Sequence, residues 1–187
     1  AALHREVLPA LANLSFEDGN KLQICRSGGL PAMLAHANDE RPEVARQACA
    51  ALANMAEVVQ NHARLVDQGC MKPLIKALKS ESEPVRREAA RCLGNLAANV
   101  EYGSRLVLWG AVPPLLRMMR GQDAGSLRMA AMALSNLATS AKNQVRLVEE
   151  LEVLEPLVSY ARLGLDPRAA ADEEAVRYCL LAVANLS

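Results

Sequence analysis

The chain has 187 residues with 21 basic and 21 acidic side chains, a neutral balance that excludes general attraction to nucleic acid or anionic membrane, so charge recognition has to be local. Aromatic residues make up 3 % against 51 % hydrophobic, an Ala- and Leu-rich balance that suits closely packed helices and suits strands poorly. Apolar runs such as Leu106-Val107-Leu108-Trp109 fall far short of the ~20 residues of a membrane span.

Residues 1–15 read as the end of a helix whose apolar face carries Leu3, Val7, Leu8, Leu11 and Leu14. It closes on Leu11-Ala12-Asn13-Leu14-Ser15, and that ending returns as Leu52-Ala53-Asn54-Met55-Ala56, Leu93-Gly94-Asn95-Leu96-Ala97, Leu134-Ser135-Asn136-Leu137-Ala138 and Val183-Ala184-Asn185-Leu186-Ser187. The asparagines stand 41, 41, 41 and 49 residues apart, a period that marks a helical repeat array rather than one or two globular domains. The expected units are a partial repeat over 1–15, full repeats over 16–56, 57–97 and 98–138, and a longer repeat over 139–187. Because the chain starts and stops inside repeats, it is expected to belong to a longer protein.

Each unit carries three helical signals. In the unit from residue 57, a short helix is expected after Asn61, whose side chain can accept from first-turn amides, and it runs through Leu65 and Val66 to a stop at Gly69. A second helix has Pro73 near its first turn and buries Leu74, Ile75 and Leu78. After the polar run Lys79 to Pro84, a third helix over about 85–98 turns Val85, Ala89, Cys92, Leu93 and Leu96 inward. Gly28, Gly69 and Gly110 end the first helix in three units. In the last unit Leu151 takes that place and Pro156 falls one residue late, so helical residues are expected to replace the tight left-handed turn. The connection over 163–174 is about seven residues longer than its counterparts, either as a tolerated surface insertion or as a second contact site or hinge.

Three helices per unit of about 41 residues, a glycine after the first, a proline opening the second and Leu-x-Asn-Leu-Ala on the third resemble the armadillo repeat over essentially the whole chain. Stretches such as Leu93 to Asn99 and Pro113 to Met119 are most similar to the vacuolar armadillo scaffold and to β-catenin-like binding proteins rather than to importin-α. The resemblance implies an all-α, right-handed superhelical solenoid whose third helices line a concave groove that holds peptide segments. It also implies that the third-helix asparagines, here Asn13, Asn54, Asn95, Asn136 and Asn185, bond to the bound main chain. An amide offers both donors and an acceptor, which suits an extended backbone that has no sheet partner. The alternative is that each asparagine ties its helix to neighbouring backbone within the solenoid.

An arginine stands eight residues before each asparagine: Arg5, Arg46, Arg87, Arg128 and Arg177. Eight residues on a helix differ by about 80° in direction, so this row borders the asparagine row. It forms a strip suited to acidic or phosphorylated segments, unless the arginines pair with nearby carboxylates such as Glu88 or cover an apolar edge. The residue four before each asparagine, tryptophan in importin-α-like receptors, is Pro9, Ala50, Arg91, Met132 and Leu181. That departure, together with the charge of Arg91, argues against a basic-signal receptor.

No nucleophile elbow, phosphate-cradling loop or HExxH occurs, and Gly28-Gly29 is explained as a helix stop. Cys25, Cys49, Cys70, Cys92 and Cys179 form an odd set without a CxxC pair and read as buried apolar residues of a reducing compartment. His4, His36 and His62 pair with no cysteine or carboxylate cluster, so no metal or cofactor is expected. The expectation is a non-enzymatic, cytoplasmic scaffold without membrane insertion or nucleic-acid binding. It holds an extended or helical, acidic partner segment on Asn13, Asn54, Asn95, Asn136 and Asn185 with Arg46, Arg87, Arg91, Arg128 and Arg177. The alternatives are a spacer acting through its convex or end surfaces, with end-to-end self-association of the cut repeats, and a docking module of a larger protein.

Overall fold

The structure, a computed structural model, describes residues 2–166 and 169–187, with residues 2–7 and 18 described by backbone alone. The side chains of Leu3, Arg5 and Val7, and the insertion residues Pro167 and Arg168, therefore lie outside the described residues. All regular structure among the described residues is helical. The chain divides into two compact units, Ala1–Leu96 and Ala97–Ser187.

The first unit holds α1 (Ala2–Leu14), then α2 (Asp18–Arg26), α3 (Leu30–His36) and α4 (Pro42–Ala56). A 3-10 turn over Val59–Asn61 leads into α5 (His62–Asp67), α6 (Met71–Ala77) and α7 (Glu83–Ala97). The third helix of each repeat forms the centre of the packing. On α7, Val85, Ala89, Cys92, Leu93 and Leu96 are each 1 % exposed or less, as their spacing predicts. On α4 every residue from Ala51 to Ala56 is buried, which is possible because alanine and Cys49 let neighbouring helices approach closely. Gly28 and Gly69 hold φ of +82° and +78° after α2 and α5, the left-handed turn that only glycine adopts without strain.

The second unit holds α8 (Val100–Leu108), α9 (Val112–Met119), α10 (Ala124–Ala138), α11 (Ala141–Val145) running into a π-helical segment (Arg146–Glu150), α12 (Leu154–Leu163) and α13 (Glu173–Leu186). Here α10 packs on α13, α12 on α13 and α9 on α10.

Two expectations about turns need correction. Asn61 does not cap α5. Its Nδ2 is buried and donates to the Met55 and Lys21 carbonyls (3.1 and 3.3 Å), and Asn143 does the same to Leu137 (2.9 Å). Both reach carbonyls at the end of the preceding third helix, which have no intrahelical donor. A side-chain cap on a first helix is found at α8, where Asn99 Oδ1 accepts from Glu101 N and Tyr102 N.

In the last repeat the left-handed turn is kept, not replaced. The carbonyls of Ile24, Leu65 and Leu106 each accept from the amide five residues on, at Gly29, Cys70 and Ala111. The equivalent Leu147 carbonyl accepts from Val153, six residues on. The π-helical segment absorbs the extra residue and moves the turn to Glu152, at φ +48°, which also explains the late Pro156.

The longer connection is fastened at three points. Gly164 lies so close to Val176 that an added Cβ would sit 2.7 Å from both of its γ-methyls. The Tyr160 hydroxyl accepts from the Asp172 amide (3.1 Å), and the Asp172 carboxylate caps α13 through Ala175 N (2.9 Å).

Candidate functional site

Within the first unit, α1, α4 and α7 bring their asparagines to one face. Third helices end in a tightened turn: Phe16 N bonds Asn13 O, Glu57 N bonds Asn54 O and, in the second unit, Thr139 N bonds Asn136 O. This i→i−3 bond skips the carbonyl just before each asparagine and leaves it without a helical donor. The next repeat supplies one. Asn95 Nδ2 donates to Ala53 O (3.4 Å) and Asn185 Nδ2 to Ser135 O (3.5 Å). Asn54 reaches the same kind of carbonyl through a relay, donating to Ser15 Oγ (2.8 Å), which donates to Ala12 O (2.6 Å).

The amides thus tie successive third helices together, but they differ in what they leave over. Asn54 is 5 % exposed and its Oδ1 accepts from Arg91 Nη2 (2.8 Å), so both ends are engaged internally. Asn95 is half-buried and keeps its carbonyl oxygen and one amide hydrogen beyond the bond to Ala53. Asn185 and Asn136 are half-buried on α13 and α10, and Asn13 is exposed on α1.

The arginines fall into two groups. Arg91 is 25 % exposed and spans four acceptors: Glu57 (2.7 Å), Asn54 (2.8 Å), Glu88 (2.9 Å) and the Ala50 carbonyl (3.3 Å). Glu57 also takes the Nζ of Lys21 at 2.7 Å, and that lysine is itself buried. In the second unit Arg128 forks onto Asp172, with Nε to Oδ1 at 3.1 Å and Nη2 to Oδ2, and reaches Glu174 at 3.1 Å. The Asp172 hydrogen bond raises the Arg128 pKa. Burial pushes the Asp172 carboxyl up, but the Ala175 amide and the Arg128 guanidinium together hold it below the ordinary carboxylate range.

Arg46 and Arg177 are looser. Arg46 pairs with Glu43 at 2.6 Å with both side chains well exposed, and Arg46 and Gln47 hold the Glu43 carboxyl below its usual range. Arg177 stands 3.8 Å from Glu174 and 5.2 Å from the Tyr178 ring centre. Arg87 is half-buried on α7. The expected positive strip is therefore largely a strip of ion pairs.

Where Pro9 and Ala50 replace a larger side chain, a hollow of ≈ 500 Å³ opens on this face of the first unit. Its lining includes Asn13, Phe16, Arg46, Ala50, Asn54 and Arg91, so two asparagines, both groups of arginine and an exposed phenyl ring meet there. The sequence gives no sign of Ser15, Glu57 or Asp172 as site residues, because their partners lie a whole repeat away. Among the described residues no group of three or more His, Cys, Asp or Glu is placed to hold a metal, and no helix is long and apolar enough to cross a membrane.

Comparison with known proteins gives concordant matches. The armadillo/β-catenin-like repeat matches residues 17–57, a HEAT-like repeat matches 42–96, and HEAT repeats match 71–175, more than half of the chain. No curated protein matches. Among solved structures, an engineered protein superposes with a TM-score of 0.87 at 27 % identity, over 97 % of this chain and 72 % of that one. A designed armadillo repeat protein in complex with the peptide (KR)4 superposes at 0.84 and 27 %, over 97 % and 74 %. A chain from a study of the phosphorylation-controlled interaction between cadherin and β-catenin superposes at 0.83 over 98 % of this chain and 34 % of its own; at 22 % identity it speaks for the fold alone.

Proposed function

The chain belongs to the armadillo/HEAT family of helical repeat proteins, and from that premise we propose that it is a non-enzymatic scaffold holding an extended segment of another protein on its third-helix face. The observation that carries this reading is the hollow on the first unit, where Asn13, Arg46 and Phe16 are open to a ligand beside a rigid floor of Asn54 and Arg91. The similar designed armadillo protein, solved with a bound peptide, supports this general use of the fold.

In this reading Asn13 and Asn95 in the first unit, and Asn136 and Asn185 in the second, offer their remaining amide capacity to the ligand main chain. Asn54 and Arg91 shape the floor rather than contact the ligand. Charge selection falls to the arginines whose present partners are easily exchanged. An exposed ion pair is worth only about 0–1 kcal/mol, so a partner carboxylate can displace Glu43 from Arg46 or Glu174 from Arg177. The shared networks of Arg91 and Arg128 are held by several bonds each and stay closed, while Arg87 borders the face. The partner is thus an acidic segment read at few points, in a reducing compartment where the five buried thiols stay free.

A peptide titration tests this. Labelled acidic, phosphorylated and basic peptides are added to the parent and to Arg46→Glu, Asn95→Ala and Arg91→Ala at two salt concentrations. The acidic peptide is expected to bind best and to weaken with salt, losing about tenfold in Arg46→Glu. Arg91→Ala is expected to lower the unfolding midpoint more than the affinity. Tighter binding of the basic peptide, strengthened by Arg46→Glu, would sink the charge assignment and leave the face as the site. Equal binding by every variant would remove the face itself.

A second reading, end-to-end self-association, is favoured by Leu14, which is 53 % exposed on α1 while Met55, its counterpart one repeat on, is fully buried. Light scattering over a concentration series separates the two, because stacking raises the mass with concentration.

A further inference from the structure

The two residues just before each glycine-made left-handed turn face solvent. They are Arg26-Ser27 before Gly28, Asp67-Gln68 before Gly69 and Leu108-Trp109 before Gly110, with Leu108 65 % and Trp109 41 % exposed; in the last repeat Glu150-Leu151 stands before Glu152. The turn itself does not require apolar residues there, since two repeats make it with polar ones at both positions. Exposed leucine and tryptophan together, at two positions that the first two glycine turns keep polar, mark contact with something outside the fold.

The surroundings in the second unit indicate the partner's chemistry. Helix α8 packs beside α11, so the end of the neighbouring first helix, with exposed Glu149 and Glu150, lies one helix spacing away, roughly 8–10 Å. The extra residue of the π-helical segment places a third exposed acid, Glu152, in the turn itself. Arg146 holds Glu150 at 3.0 Å, whereas Glu149 and Glu152 form no ion pair among the described residues. The C-terminal end of a helix also carries partial negative charge, which adds to the acids. Arg105 already lies over the Trp109 ring, 5.1 Å from its centre, showing that a guanidinium fits against that indole.

We propose that this first-helix edge of the second unit is a second docking surface, separate from the third-helix face, for a basic amphipathic segment of another protein. Apolar side chains of that segment rest on Leu108 and Trp109, and its lysines or arginines meet Glu149 and Glu152.

Trp109 is the sole tryptophan, so the protein carries its own reporter. The probe is an alternating Lys/Leu peptide free of aromatic residues, titrated while Trp109 emission is followed. The expected result is a saturable blue shift that weakens with salt. Leu108→Ser and the pair Glu149→Lys/Glu152→Lys each lower the affinity by about tenfold, and Asn95→Ala leaves it unchanged. Each substituted side chain faces solvent, and a circular dichroism melt matching the parent confirms that the variants are folded. Unshifted emission at saturating peptide, or equal affinity in both variants, overturns the proposal. So does a shift driven by protein concentration alone with a doubled mass, which would assign the edge to a second copy of the chain.

Discussion

Glu152 holds a backbone conformation that the other three repeats give to glycine, with φ of +48° against +78° to +84°. A side chain in this region costs about 1–2 kcal/mol, and glycine returns part of that through its freer unfolded chain. Glu152→Gly is therefore expected to raise stability by about 0.5–1 kcal/mol, read as a higher urea midpoint at an unchanged slope. Gly69→Ala should move the midpoint the other way. At the same scale, asparagine and arginine each proved to be two kinds of residue. Asn54 and Asn95 stand at the same place in equivalent motifs, yet one is sealed by Arg91 and the other keeps bonding capacity. Arg46 and Arg91 are separated by burial and by the number of acceptors each one reaches.

Among the elements, the described ends of the longer connection before α13 are fastened to its repeat. Gly164 allows its approach, and the Val176 methyls cannot rotate away because a β-branched side chain is stiff at χ1. Gly164→Ala is expected to cost about 1–3 kcal/mol through overpacking. Adding Val176→Ala should recover much of that loss, and a double-mutant cycle by urea denaturation measures the coupling. The other end of the connection is fastened by Asp172, whose carboxyl titrates lower in the folded chain than in the unfolded one. A depressed carboxyl contributes stability above its unfolded value of about 3.9 and loses it as pH falls through the folded value. The gap in urea midpoint between the parent and Asp172→Asn is thus expected to be full near neutral pH and to shrink steadily below about pH 4. A gap independent of pH would mean that the carboxylate charge contributes nothing there.

For the molecule as a whole, stability in a repeat array is the sum of repeat and neighbour-interface contributions, and the cysteines sample several of those interfaces. All five are buried. Burial pushes the Cys49 and Cys179 thiols up to about 12 and raises Cys92 well above its ordinary value, so the reactive thiolate is suppressed as well as shielded. The native protein is expected to react slowly, if at all, with a thiol reagent such as DTNB, and the urea-unfolded chain to release five equivalents. Rapid labelling of some thiols at low urea, before the main transition, would locate the repeats that open first.

The sequence by itself determined the repeat period, the three helices of each unit, the buried stripe of each third helix and the three glycine turns. These follow from local rules, since a helical face repeats every 3.6 residues and a left-handed turn calls for glycine. It also placed the asparagine and arginine rows, because one helix carries both. Only the tertiary structure decided what those residues do. Arg91 meets Asn54 and Glu57, Asn95 meets Ala53, and Arg128 meets Asp172, across 34 to 44 positions of chain. Which hydrogen bonds and ion pairs form depends on how closely neighbouring helices approach and which carbonyl a tightened helix end leaves open. A one-residue shift such as the π-helical segment changes that pairing without changing the local pattern that marks the helix.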